Sequence, residues 1–380
     1  MCVLRVMGFP FAEVALDHGA VFVMRGLQSR EGVGRIMRGF AGRFEVALAV
    51  LFGAGLLCLV GRGAGAQTAT DQTAAARPAA PDAAELAQWQ QDLGAWRAER
   101  EREISAPDGW LTLAGLEWLK PGINTLGASA DSRIRLPEQA PEHLGLITVS
   151  GGSSSGSASK AAAPGADIVQ LLAPAGGFPA ELTIDGKPAR EETLTVDDAK
   201  PSTIGWRGLT LVVLKRGDRY VLRIKDANSP TRAGFHGLNW YAPDPHLRVT
   251  ARWVPFKPPL VQEIPTVIGT TLKLPAPGLA VFLIGGKVLH LEPVLEDPSG
   301  KTLFFILKDE TSKTATYGGG RFLHTGLPDH GLDEPGSLTL DFNRLENPPC
   351  AYTNYATCPL PPKQNQLEVA LEAGERRYPQ

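Results

Sequence analysis

Residues 209–225, LTLVVLKRGDRYVLRIK, contain the pattern that decides the fold. A hairpin turns at Arg216-Gly217-Asp218. In the strand after it, Tyr220, Leu222 and Ile224 fall on one side, and Arg219, Val221, Arg223 and Lys225 on the other. A period of two is that of a strand with distinct faces. Moving toward the N-terminus, residues 134–136, 146–149 and 168–172 are short β-rich runs, and Asp185-Gly186 separates 182–184 from 187–189. An Asp-Gly pair between two such runs is a strong two-residue hairpin signal, because both central positions want positive φ. Moving toward the C-terminus, Val249, Ala251 and Trp253 alternate with Arg248, Thr250 and Arg252, and Gly285-Gly286 joins the apolar runs 279–284 and 287–295. Residues 302–308, 337–342 and 367–371 also have strand length and composition.

The chain has 42 glycines and 31 prolines, which favours many turns and short strands. Strands and helices do not alternate, so a doubly wound α/β fold is disfavoured. The expected architecture is mostly β. An antiparallel sandwich over 109–226 precedes a second antiparallel β-rich half over 227–380, with the joint near residues 226–237. One helix segment, 83–108, stands before them: Leu86, Trp89, Leu93 and Trp96 recur at spacings of three and four with charges between, which makes one apolar helix face.

Residues 37–66 read as an export signal. Arg38 and Arg43 form a short basic start, 46–60 is almost wholly apolar, and Ala64-Gly65-Ala66 supplies small residues at a cleavage site before Gln67. The apolar run is shorter than the roughly 20 residues of a comfortable membrane-spanning helix. An uncleaved N-terminal anchor is the rival reading. A lipoprotein reading at Cys58 is set aside, because Leu57 stands where a small residue is wanted. Residues 1–36 read as a start codon placed too early, with Met37 as the true start. Residues 67–82, rich in Ala, Thr, Pro and Gln, read as a disordered tether, and the Ser/Gly tract at 150–165 as a flexible loop.

Lys and Arg number 38 against 40 Asp and Glu. Without residues 1–66, which hold 7 basic and 4 acidic residues, 31 and 36 remain, a net charge of −5. This balance offers no electrostatic footprint for nucleic acid or for an anionic membrane after signal cleavage. No spacing asks for a cofactor or metal. His324 and His330 flank Asp329 in a Gly/Pro/Asp loop, which reads as solvated. The G-x-S-x-G match at 152–156 lacks the strand and helix that a nucleophile elbow needs.

Leu126-Gly127, Ile134-Arg135-Leu136, His143, the segment 183–187 and the final hairpin resemble the order of elements in a forkhead-associated β-sandwich, over about residues 110–225. Ala128 and Ala140 stand where those domains carry the Arg and Ser that read phosphothreonine. The resemblance therefore implies the scaffold and no phosphothreonine peptide. The second half carries Asp309-x-Thr311, Thr316-Tyr317, Gly320-Arg321-Phe322-Leu323, Leu340-Asp341-Phe342-Asn343-Arg344, Asn347-Pro348-Pro349-Cys350-Ala351-Tyr352, Cys358-Pro359-Leu360-Pro361-Pro362, Asn365 and Ala373-Gly374-Glu375. In that order they resemble the bacterial and archaeal domain of unknown function 1684 family, a likeness that reaches back to about Trp96. The family implies no reaction.

The densest polar group comprises Asp309, Tyr317, Arg321, Asp341, Asn343, Arg344 and Asn365. In a strand over 337–342, Asp341 and Asn343 share the face opposite Leu338, Leu340 and Phe342. Carboxylates with two Arg residues can hold an anionic or sugar-like ligand, and can equally form an Arg–Asp network that ties loops down. Trp206, Trp240, Tyr241 and Trp253 read as core anchors before an aromatic platform. Cys350 and Cys358, the only cysteines after residue 66, read as a disulfide in an exported protein. A redox or metal thiol pair and a nucleophilic Cys350 are the alternatives. The leading expectation is an exported soluble protein that binds a small molecule, polar or anionic, in its C-terminal half. The alternatives are an envelope hydrolase or transferase, with Asp341 as general base and Arg321 as anion stabiliser, and a structural assembly factor.

Overall fold

The computed structural model describes residues 82–151, 167–196, 200–297 and 299–379. The early start, the export segment, the tether except Asp82, and nearly all of the Ser/Gly tract lie outside the described residues. These described residues belong to a unit spanning Arg77–Gln380. The first element is α1 (Ala83–Ser105), whose N-cap Asp82 accepts the Glu85 backbone N–H at 2.7 Å. A capping carboxylate satisfies one of the unpaired N–H groups that every helix start exposes. The periodic residues do face inward: Trp89 and Leu93 are buried, joined by Arg100 and Ile104, while Leu86 and Trp96 are half-buried.

Eleven strands follow: β1 (Leu113–Trp118), β2 (Gly122–Gly127), β3 (Ile134–Arg135), β4 (Gly145–Ser150), β5 (Ile168–Leu172), β6 (Thr183–Ile184), β7 (Lys187–Pro188), β8 (Glu192–Thr193), β9 (Thr203–Trp206), β10 (Leu209–Arg216) and β11 (Arg219–Asp226). They form two sheets, ordered β1-β11-β10-β9-β6-β7 and β3-β2-β4-β5-β8. Alternate residues of both, among them Leu126, Ile147, Leu171, Ile204, Leu211 and Leu222, bury one shared core. The two β6–β7 turn residues, Asp185 and Gly186, have φ of 50° and 76°, the conformation that singled out this turn in the sequence. The pairing is antiparallel throughout these sheets except between β2 and β3, which run parallel. Period-two patterning carries no information on strand direction, so the uniform antiparallel expectation is corrected there.

The C-terminal half has β12 (Arg248–Pro265), β13 (Thr271–Ile284), β14 (Lys287–Leu291), β15 (Leu303–Leu307), β16 (Arg321–Thr325) and β17 (Gly336–Asp341). One sheet is ordered β14-β13-β12-β17, and β15 pairs with β16. Trp253, Phe282, Phe305, Leu323, Leu340, Phe342 and Leu371 pack between these layers. Trp253 and Trp206 are core residues, and Trp253 donates its indole N–H to the Leu332 carbonyl at 3.0 Å. Two expectations fail. Residues 367–371 form no strand, and β17 stops at Asp341, after which Phe342–Arg344 is a 3-10 turn. Asn343 therefore does not continue a strand face. Its carboxamide accepts the Asp244 N–H and donates to the Asp244 carbonyl, both at 2.8 Å.

Candidate functional site

Most of the polar residues singled out in the sequence are buried and hold the C-terminal chain in place. Arg321 opens β16 with its side chain fully inside the protein. Its Nη2 meets Asp309 Oδ2 at 2.8 Å and the Leu371 carbonyl at 2.9 Å, and its Nη1 donates to the carbonyls of Ala373 and Glu375. Asp309 Oδ1 accepts from the Thr311 backbone at 2.8 Å, the Thr311 hydroxyl at 2.6 Å and the Leu371 backbone at 3.2 Å. Asn365 binds both backbone groups of Glu292 and the Ile306 carbonyl. The irregular residues 367–375 lack a strand ladder, and buried backbone groups need partners. These side chains supply them. The role of anion stabiliser expected of Arg321 is corrected accordingly, since a guanidinium enclosed by a carboxylate and three carbonyls meets no solvent-borne anion.

A second buried group lies beside it. Glu375 accepts the Asn347 backbone N–H at 2.9 Å, the Asn347 side-chain N–H at 2.9 Å and the Tyr352 hydroxyl. Arg100 of α1 reaches Glu346 at 3.3 Å and the Asn347 carbonyl at 2.9 Å. Gly374 sets the entry to Glu375: its φ is 74°, and a Cβ there would sit 2.5 Å from the Leu345 carbonyl oxygen. Tyr317 is half-buried in the same region, and burial together with nearby Cys350 and Cys358 raises its phenol above the usual range.

Of the seven, Tyr317 lines a pocket of about 380 Å³ beside Tyr378, and Asp341 and Arg344 line a larger cleft. It encloses about 730 Å³ between α1 and the surface formed by β12, β16 and β17. Asp341 Oδ2 accepts the Trp89 indole N–H at 2.7 Å, and Oδ1 accepts both Asn343 N–H groups at 3.1 and 2.9 Å. Both oxygens are engaged and the residue is buried, so Asp341 pins the helix to β17. Arg344 is 3.8 Å from Asp341, lies over the Trp96 ring, and has a side chain 34% exposed. The antiparallel register places Arg248 of β12 directly opposite Asp341, at the same cleft. Arg248 is exposed and has no hydrogen-bond or ion-pair partner among the described residues.

His324 of β16 completes the basic wall. Its side chain is 45% exposed and its ring stacks on Phe304 at 4.6 Å. Burial alone would lower its pKa, but Glu296 at 3.8 Å and Glu346 at 3.5 Å prevail and hold it at about 9. His324 is therefore a cation at neutral pH. No cluster among the described residues has the composition of a metal site, and His330 instead contacts the Pro335 carbonyl. A larger groove of about 870 Å³ runs beside β12 and residues 360–366; of its charged lining, Glu292 is engaged by Gln262 and Gln364, Glu263 pairs with Lys273, and Lys308 and Lys363 flank it. The cleft beside α1 presents cations that are open to solvent.

Arg248 and His324 escaped the sequence reading as site residues. Arg248 looked like the solvent face of a strand, which it is, and only the β12–β17 register brings it beside Asp341 and Arg344. The signal that existed was the polar edge of the helix, where Glu85, Gln88 and Asp92 share one side.

Residues 233–376 match the family described as "Protein of unknown function (DUF1684)". Among solved structures, the chain is similar to an uncharacterized protein of Haloarcula marismortui determined by solution NMR. The identity is 33%, over 39% of this chain and 80% of that one, and the TM-score is 0.34. No curated protein matches the chain.

Proposed function

The chain belongs to the DUF1684 family, and from that premise we propose that it is an exported protein that binds a small anionic ligand in the cleft beside α1. The observation that carries this reading is the convergence of Arg248, His324 and Arg344 on one cleft, with Arg248 unpartnered. Charge-assisted hydrogen bonds from guanidinium groups are the strong, geometrically selective contacts for carboxylate and phosphate. The two-sheet sandwich before the cleft supports a forkhead-associated-like scaffold. Ala128 and Ala140 leave that scaffold without its phosphothreonine-reading groups.

Titration of the purified protein with inorganic phosphate and with citrate tests the reading. Saturable binding is expected, and R248Q or R344Q should each weaken it about tenfold, the equivalent of one charged hydrogen bond. Arg248 is exposed, so R248Q should hardly move the melting temperature, whereas R344Q also loses the Asp341 and Trp96 contacts and should lower it. Affinity should also fall as pH rises through about 9, where His324 loses its proton. Equal binding by wild type and both variants would overturn the assignment.

Export is supported by the basic, apolar and small-residue succession over 37–66. It predicts a mature N-terminus at Gln67, which mass spectrometry of the exported protein reads directly. Intact residues 37–66 would instead mark an anchor. The same sample tests the cysteine pair. Cys350 and Cys358 are buried free thiols in this structure, and the Cys350 backbone N–H donates to Cys358 Sγ at 3.2 Å. Neighbours this close are placed to form a disulfide in an oxidising compartment. In the chain-entropy model, closing so short a loop adds about 2–3 kcal/mol of stability. Thiol titration is expected to find no free thiol after export; two would rule the bridge out.

A further inference from the structure

The two walls of the cleft carry opposite charge. On α1, Glu85 and Asp92 lie seven residues apart on one face, about 10 Å apart along the axis, with Gln88 between them. The opposite wall carries Arg248, His324 and Arg344, with Asp341 among them already bonded to Trp89 and Asn343 and His324 paired with Glu296 and Glu346. No ion pair crosses the gap among the described residues. Among the described residues, Asp92 accepts only the Gln88 side-chain N–H, at 2.9 Å, and the Glu85 carboxylate has no hydrogen-bond partner. A ligand with anionic groups alone would be drawn to the basic wall and repelled by the helix. Like charges brought together without compensation are a standard means of rejecting a partner.

We infer that the cleft takes a zwitterion, a free amino acid or a short peptide, with its ammonium at Glu85 and Asp92 and its carboxylate at Arg248 and Arg344. The inference rests on the anion-binding reading above and narrows it to one ligand class. A volume of about 730 Å³ has room for such a molecule. Thr339, Thr325 and Gln88 add neutral hydrogen-bonding groups along the cleft. The α1 carboxylates supply what a pure anion site does not need, and their exposure keeps them available to a ligand.

The test uses the purified protein with the standard L-amino acids and the dipeptide Ala-Ala, each beside its N-acetyl and C-amide forms, followed by calorimetry. At least one free zwitterion is expected to bind, with N-acetylation and amidation each weakening it about tenfold or more. The E85Q/D92N double variant, altered only at exposed positions, should remove the penalty for N-acetylation while still binding inorganic phosphate. R248Q/R344Q should lose both free and acetylated forms. If the N-acetyl form binds wild type as tightly as the free form, or phosphate binds and no free zwitterion does, the zwitterion assignment is overturned and the anion site stands. If neither phosphate, citrate nor any of these probes binds, both readings fall.

Discussion

Replacing Arg321 with methionine is expected to lower stability by about 3–5 kcal/mol, the cost of leaving one partner of a buried ion pair alone. Asp309 would lose its contact at 2.8 Å, and the carbonyls of Leu371, Ala373 and Glu375 would lose their donor in a region that water does not reach. Asp309 would still accept from Thr311 and Leu371, which moderates the loss without neutralising the charge. Urea denaturation should show a lower midpoint at an unchanged slope. Removing both charges in D309L/R321M should recover part of the loss, because paired apolar groups leave no carboxylate stranded. A loss below about 1 kcal/mol for R321M would contradict the role assigned here. Folded R321M should bind phosphate like wild type, since Arg321 lies outside the cleft. An anion stabiliser would behave in the opposite way.

Glu375 gives the second large effect, and it appears as pH dependence. Burial pushes its pKa from 4.5 up to about 7, against the opposing pull of Arg100, the Tyr352 hydroxyl and the Asn347 backbone N–H. Between about 4.5 and 7, the native protein holds a proton that the unfolded chain has released. Stability from this residue is therefore greatest at low pH, falls as pH rises through that window, and is level above it. The shift corresponds to a change of about 3 kcal/mol. His324 acts in a later window: its contribution is complete below 6.5 and is lost as pH rises through about 9. Subtracting the E375Q profile from that of wild type isolates the first window, because His324 is common to both. The difference should change by about 3 kcal/mol between pH 4 and 8. A flat difference would mean that folding leaves the Glu375 pKa unshifted.

The cleft was only partly legible in the sequence. Asp341, on the polar face of a strand with an apolar opposite face, and Arg344, close behind it, are legible as candidates, and both line the cleft. Asp309, Arg321, Asn343 and Asn365 stood out equally, yet all four are buried. A run of polar residues in a long irregular segment has two outcomes. It can face solvent or a ligand, or it can turn inward to satisfy backbone groups that no strand ladder reaches. Composition is the same in both. Residues 367–371 show the physical cause: they have strand composition, but among the described residues only Leu367 and Val369 meet a neighbouring backbone, at Lys308 and Glu310, and the Asp309 and Arg321 side chains bind Leu371 instead. Period two places Asn343 on a strand face only if the strand continues, and the chain turns at Phe342.

The helix over Ala83–Ser105, the hairpins at Asp185-Gly186 and Gly285-Gly286, and the mostly β character were all determined by the sequence itself. Each rests on local physics: side-chain periodicity, a capping carboxylate, or positive φ that glycine and aspartate tolerate. The tertiary structure decided which polar residues are buried and which are open. Opposition of Arg248 to Asp341 depends on a register between strands that are far apart in the chain. The facing of Glu85 and Asp92 toward Arg248 and Arg344 depends on where the helix docks, which the Trp89–Asp341 hydrogen bond helps to set across 252 residues of chain. A charged side chain owes its local conformation to its neighbours in sequence, but its burial and its partners come from contacts that form only when distant segments pack.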